Sequence, residues 1–349
     1  MNVYRLGALL VALLVAFVPQ AAAAVDYVID GTGGDCASLG GVWETWTSPP
    51  RCSVNRWTLA AGDRLVIKPQ AGLHLRGGNL NAGTIYNGGT FEVGELYSAD
   101  RSIITNTGVI SNTGILWVGA AGYASTVGNQ GQGTVTNRGA IENAGTIEIG
   151  GGSILTSTAT ITNLAAGTIH SRSDRVLPYW CCEDGRLENG GALHNGGTVS
   201  VEGVASNWGV LDNGPTGAIT LQLYGYFDPL GRGGGFSASA LQNEGAIDNR
   251  GAVDSHGGDV QNRGQILNTG AFRNYVAFFT YDTYVGGPEV WRFGQVRNDG
   301  TVANGGVIID CGDLWDGNAP VGNALVRQSC VGFLPNVNNS AHAPGLNEE

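Results

Sequence analysis

Lysine is all but missing from this chain: Lys68 is the single one in 349 residues. With 18 Lys and Arg against 29 Asp and Glu, the formal net charge is -11. That balance leaves no electrostatic footprint for nucleic acid or an anionic lipid surface. It also weighs against a lyase for acidic sugars, which needs cationic side chains to neutralise the substrate carboxylate. Charged residues make up only 13%, whereas a disordered chain would be more charged and less apolar. No CxxC pair occurs, and His74, His170, His194, His256 and His342 are scattered, which argues against zinc. Nucleophile-elbow, HExxH, P-loop and dinucleotide fingerprints are absent. No cofactor and no metal are expected. Helical periodicity is missing too, and glycine, at 58 residues, is too frequent for helix interiors.

What is present begins with a secretory signal over residues 1–24. Arg5 supplies the positive start, residues 9–18 the apolar core, and Ala22, Ala23 and Ala24 a small-residue cleavage site. No later segment is apolar enough to cross a membrane, so no membrane span is expected after cleavage. The chain is expected outside the cytoplasm: periplasmic, surface-bound or released. Six cysteines, Cys36, Cys52, Cys181, Cys182, Cys311 and Cys330, are candidates for disulfides in that oxidising setting. Nearness suggests Cys36–Cys52 and Cys311–Cys330. The adjacent Cys181 and Cys182 either bridge each other or pair elsewhere.

The dominant pattern is asparagine six residues from asparagine, each followed two positions later by glycine. It occurs at Asn81/Asn87, Asn106/Asn112, Asn137/Asn143, Asn189/Asn195, Asn243/Asn249, Asn262/Asn268 and Asn298/Asn304, with Asn207/Asn213 as a looser pair and Asn163 alone. Apolar residues sit between and just after the paired asparagines, as Ile85, Ile110, Ile141, Ile147, Val199 and Val253. Alternation with period two places them on one side of a strand. Glycine allows positive φ at a corner. Asparagine stacked on the asparagine of the next coil can donate one way and accept the other, forming a ladder. Successive pairs stand 25, 31, 26, 26, 18, 36, 19 and 36 residues apart, with Asn163 taken as one point. The later values cluster near 18 and twice 18. The prediction is an all-β fold: a single-stranded parallel β-helix, right-handed by the crossover rule. It would have roughly ten coils at β-sheet spacing and disulfide-bearing end caps. The expected organisation is signal at 1–24, N-terminal cap at 25–72, repeats with inserted loops at 73–310, and C-terminal cap and disordered tail at 311–349. Trp43, Trp46 and Trp57 are expected to cover one end of the stack and Trp315 to plug the other.

The phrases LNAGTIYNGGT, ITNTGVISNTG and VTNRGAIENAGTIEIG resemble the Asn-Gly-rich repeats of bacterial secreted and surface β-helix proteins, of the filamentous-haemagglutinin-like adhesin and autotransporter-passenger type. The resemblance covers about residues 73–310. It implies a right-handed β-helix and a role in attachment or surface display.

Four stretches interrupt the rhythm: 119–133, 171–186, 222–240 and 275–295. The last two gather the aromatic residues that the repeats lack. Tyr224, Tyr226, Phe227, Tyr281, Tyr284, Trp291 and Arg292 are the candidate ligand-binding residues, because rings beside charged groups suit the apolar faces and hydroxyls of a sugar. The competing reading is that the rings pack on one another and hold long loops to the scaffold. The expected function is a secreted or cell-surface structural or binding protein, adhesin-like, with polysaccharide or a cell-surface component as partner. The alternative is a carbohydrate-active β-helix enzyme, a hydrolase or lyase. A hydrolase needs two placed carboxylates, for which Asp228 and Asp282 are the weak candidates.

Overall fold

The computed structural model describes residues 23–94, 102–119, 132–172, 184–226, 235–279, 290–293, 295–311 and 315–328. Nearly all of the expected signal, the adjacent Cys181 and Cys182, Cys330 and the expected disordered tail lie outside them. Every described element is a strand or turn.

The strands stack in register as three parallel sheets that wrap one core, which makes the molecule a parallel β-helix. One coil shows the construction. Gly133–Asn137 belongs to a first, 11-stranded sheet, Ala140–Asn143 to a second, 12-stranded sheet, and Thr146–Ile149 to a third, 15-stranded sheet. A typical side is therefore four residues of strand, about 13 Å, and the other two residues of the six-residue phrase make the corner. Within the four-residue strands of this coil the second and fourth residues point inward. In Ala140–Asn143 these are Ile141 and Asn143, both buried. Stacked one coil above another, Ile85, Ile110, Ile141, Ile161, Leu193, Leu211 and Ile247 form a continuous apolar column. Twelve strands in the second sheet give a rod of about 50 Å, close to the ten coils expected.

The predicted asparagine ladders are present, and both run in one direction. Except at Asn137 and at the last members, Asn298 and Asn304, each Nδ2 donates to the Oδ1 of the asparagine in the following coil. On the corner after the second sheet the chain of bonds is unbroken, from Asn87 through Asn112, Asn143, Asn163, Asn195, Asn213, Asn249 and Asn268 to Asn304, at 2.7–2.8 Å. The second amide hydrogen of Asn143 goes to the Thr168 carbonyl at 3.0 Å. Each buried amide of this second ladder is thus satisfied by the coils it joins.

On the corner after the first sheet the ladder has one flaw. Asn81, Asn106 and Asn137 are linked, but the next rung is Ser157, whose hydroxyl accepts from Asn137 at 3.1 Å. The ladder resumes at Asn189, whose buried Oδ1 has no donor, and continues through Asn207, Asn243 and Asn262 to Asn298. This corrects the spacing around Asn163. Asn163 belongs to the second ladder, bonded to Asn143 and Asn195, and Ser157 holds the empty place in the first.

Two other expectations change. Positive φ is not why glycine follows each asparagine. The glycines with positive φ include Gly33, Gly62 and Gly257, but none that follows a paired asparagine. The reason is contact: a Cβ on Gly108 would sit 2.0 Å from the Gly83 carbonyl oxygen one coil below, and one on Gly139 would sit 2.1 Å from that of Gly108. The exception is Ala159, in the same coil as Ser157. There the rung Thr160 N–H to Gly139 O is stretched to 3.3 Å, against 2.9 Å for Ala140 N–H to Gly108 O. Nor does the 36-residue spacing mark two coils. Asn213 and Asn249 are direct neighbours, and the extra residues leave the coil as a hairpin.

The ends are closed by tryptophan. Cys36 is disulfide-bonded to Cys52, as nearness suggested, beside buried Trp57, while Trp43 packs on the core and Trp46 is 77% exposed. At the other end Trp315 meets Phe272 edge-on at 6.4 Å between centroids. Buried Asp310 accepts from the Trp315 backbone N–H at 3.0 Å. Cys311 is also disulfide-bonded.

Candidate functional site

The corner after the third sheet carries no asparagine ladder. Its inward column runs Leu75, Val93, Val118, Ile149, Ser171, Val201, Leu221, Ser255, Asn274 and Asp310. All four interruptions of the repeat leave the rod at this corner, after Ile115–Val118, Thr168–Ser171, Ala218–Tyr226 and Ala271–Phe279. The connections elsewhere on this edge are as short as Glu202 and Gly203.

Two of the third-sheet strands overrun the corner. Ala218–Tyr226 and Ala271–Phe279 are nine residues each and return antiparallel as Gly235–Ala238 and Val290–Phe293. Between them lies Ala252–His256, which stops at the corner. The two arms therefore stand two rungs apart, about 10 Å. Tyr224 and Tyr226 lie on the first arm, opposite Ser237 and Gly235. Trp291 and Arg292 lie on the second, opposite Phe278 and Ala277. Phe227, Asp228, Tyr281, Asp282 and Tyr284 fall outside the described residues, so the carboxylate pair considered for hydrolysis has no described geometry.

The outward face of the third sheet holds a stripe of ionisable groups that sequence reasoning missed. At its base between the arms, His256 stacks on Tyr275, centroids 5.0 Å apart and planes within 9°. Beside them Asp254 pairs with Arg273 at 3.1 Å. Burial pushes the Asp254 carboxyl up, against the pull of Arg273, and pushes His256 down, so its imidazole is held neutral. The His256 Nδ1 is buried and has no hydrogen-bond partner among the described residues. Farther along, His170 lies between Glu148, at 3.1 Å from its Nδ1, and Glu202, at 3.2 Å from its Nε2. Burial alone would lower His170, but the two carboxylates outweigh it and hold the ring protonated, with a pKa of about 9. Near the N-terminal end Arg51 bridges Glu44 at 2.8 Å and Glu92 at 2.7 Å. There His74 contacts the Ser53 hydroxyl and the Gly94 carbonyl, and burial lowers it to about 4. The signal for this stripe was available for most members, which directly follow, or stand three beyond, the inward apolar residue of the strand, as Glu148 follows Ile147, His170 follows Ile169 and Asp254 follows Val253. Among the described residues no cluster of three or more His, Cys, Asp or Glu is arranged to hold a metal.

A triangular rod with two sealed corners and one corner that sheds loops defines a repeat-built β-helix display scaffold. Residues 21–115, 120–203 and 237–308 match the family model described as the haemagglutinin repeat, and the chain belongs to that family. This bears out the resemblance to filamentous-haemagglutinin-like proteins read from the repeats. No curated protein matches the chain. A solved structure, the TibC-catalysed hyper-glycosylated TibA fragment, aligns over 89% of this chain and 94% of its own length, with 12% identity and a TM-score of 0.26. That overlap is too weak to bear on fold or role.

Proposed function

We propose that the chain is an exported, adhesin-like protein that presents a binding edge on a rigid rod. Its partner is a polysaccharide or another cell-surface component. The observation that carries this reading is the shared corner. Four interruptions of unrelated sequence all emerge from the one edge without a ladder, so whatever they bind is met along a single side. The two hairpin arms, which bear Tyr224, Tyr226, Trp291 and Arg292, are where a sugar chain is expected to lie. Aromatic rings on a fixed scaffold bind sugars at little entropic cost, because ring side chains have few rotatable bonds. Haemagglutinin-repeat membership supports the attachment role, and the expected signal at 1–24 supports export. The test is a glycan array probed with the mature chain and with Tyr226→Ala/Trp291→Ala. A loss of binding of about tenfold or more, with an unchanged β-type circular dichroism spectrum, supports the arms as the site. Undiminished binding by the double variant removes them from it, and no binding of the parent to any glycan sinks the saccharide reading.

A further inference from the structure

A stack of parallel strands has an edge problem at its last coil. Its backbone groups and ladder amides face outward and would accept another copy of the chain. Here the last described coil comprises Trp315–Gly317, Val321–Gly322 and Val326–Gln328, the latter two shorter than the strands beneath them. It is open to solvent, with Val321 75% exposed. Its chemistry differs from every earlier coil in one respect, repeated at both ladder corners. The order of asparagine and glycine is inverted. Gly317 lies where the register calls for the ladder asparagine above Asn298, and Gly322 lies above Asn304. Each is followed by Asn and Ala, so the chain reads Gly-Asn-Ala twice, at 317–319 and 322–324.

The inversion has a direct geometric result. Gly317 and Gly322 adopt φ of 89° and 111°, a region that favours glycine. A Cβ at either would fall 2.3 Å from the carbonyl of the ladder asparagine below. The last Nδ2 donors no longer find a side-chain amide above them. Asn298 donates instead to the Asn318 backbone carbonyl at 2.6 Å, and Asn304 to that of Asn323 at 2.9 Å. The side chains of Asn318 and Asn323 then turn backwards. Asn318 Nδ2 donates to the Gly300 carbonyl at 3.1 Å, and Asn323 Nδ2 to the Gly305 and Gly306 carbonyls at 2.9 and 3.0 Å. In the earlier coils that carry a ladder amide, it points forward. In this coil it points back, and among the described residues no ladder donor is left facing out.

We propose that the doubled Gly-Asn-Ala is a terminator: it closes both ladders and keeps the C-terminal face of the rod from adding a second copy of the chain. The test exchanges the two phrases for the ladder forms found one coil earlier, Asn-Asp-Gly and Asn-Gly-Gly. The substitutions are Gly317→Asn, Asn318→Asp, Ala319→Gly, Gly322→Asn, Asn323→Gly and Ala324→Gly in the mature chain. Sedimentation and electron microscopy compare it with the parent at equal concentration. The expected result is at least a twofold rise in mass with lengthened rods. A folded variant that keeps the parent's mass at every concentration overturns the proposal, as does a parent that already elongates end to end. A milder variant, Asn318→Ala/Asn323→Ala, decides the matter if the first does not fold. Hydrogen exchange over 315–328 is expected to speed up at least tenfold while the coils below are unchanged. Unaltered exchange there contradicts the proposed lock.

Discussion

The corner after the first sheet and the corner after the third are built from the same chain, one coil after another, and behave oppositely. At the first, the connection is two residues at every coil, from Ala82 and Gly83 to Asp299 and Gly300. A longer connection there would pull the asparagine out of its column and the glycine off the carbonyl below. At the third corner the inward residue is mostly aliphatic, no continuous ladder forms although Asn274 donates to Asp310 at 3.3 Å, and lengths vary from two residues to whole hairpins. The second corner is intermediate: Asn163–Gly167 and Asn213–Gly217 each hold two extra residues. Those are absorbed by a local turn, Gly167 N–H to Leu164 O at 2.8 Å, with the Asn163 amide still on the Gly167 carbonyl. The lesson is that a ladder limits loop length, to two residues at the first corner and to four at the second, and the long insertions collect where the ladder is missing.

The comparison can be broken hardest at Asn143. Asn143→Ala removes the acceptor of Asn112 and the donor to Asn163, both buried, and the donor to the part-buried Thr168 carbonyl. Leaving those groups unpaired is expected to cost about 4 kcal/mol, read by denaturant unfolding. A cost below that of an ordinary core truncation would mean the ladder contributes little. The other side of the comparison is chemical. Ladder amides do not titrate, so the pH dependence of stability should come mainly from the third-sheet stripe. His170 has a folded pKa of about 9, above its unfolded value of about 6.5. Its contribution is therefore complete below pH 6.5 and lost as pH rises through 9. His74, lowered to about 4, acts in the opposite sense: its contribution is present above about 6.5 and lost as pH falls toward 4. His170→Gln is expected to cost about 2 kcal/mol at neutral pH, less than the 3–5 kcal/mol of a fully buried pair, and to flatten the alkaline limb of the curve. An alkaline limb unchanged in that variant would remove His170 from the account.

Smaller effects sharpen the same contrast. Gly108→Ala, whose Cβ meets the Gly83 carbonyl at 2.0 Å, is expected to cost about 1–3 kcal/mol. Gly190→Ala, with its nearest contact at 3.5 Å, should stay within about 0.5 kcal/mol. Equal costs would show that the glycine column is not steric. Repairing the flawed coil with Ser157→Asn and Ala159→Gly supplies a donor to Asn189 Oδ1 and room for the Thr160–Gly139 rung. A gain of about 1 kcal/mol is expected, measured as a shift of the unfolding midpoint, and a loss would contradict the reading of that coil as a flaw.

Much of the rod could be read from its asparagines. Their six-residue offset defined strand and corner, and their stacking was evident from amide chemistry. The role of the glycines was not evident, because a residue needed for close backbone approach and one needed for positive φ look alike in a sequence. The hairpins were hidden for a similar reason: an 18-residue insertion in an 18-residue coil imitates an extra coil. The stripe through Glu148, His170 and Asp254 escaped because its members are separated by whole coils and become neighbours only once the register of the third sheet is known. Tyr224, Tyr226, Trp291 and Arg292 were visible because their composition breaks with that of the repeats. That they share an edge depends on which corner sheds loops, which composition does not encode.

The claim that ladders limit loop length is tested most directly by one insertion made twice in the same coil. A Gly-Ser pair is placed after Arg138, at the first corner, or after Gly151, at the third, and thermal unfolding of the mature chain is compared. The account predicts a fall of about 10 °C or more for the first and about 2 °C or less for the second, in keeping with a disrupted network against a lengthened connection that no ladder constrains. Equal falls, or a larger one at Gly151, would contradict it.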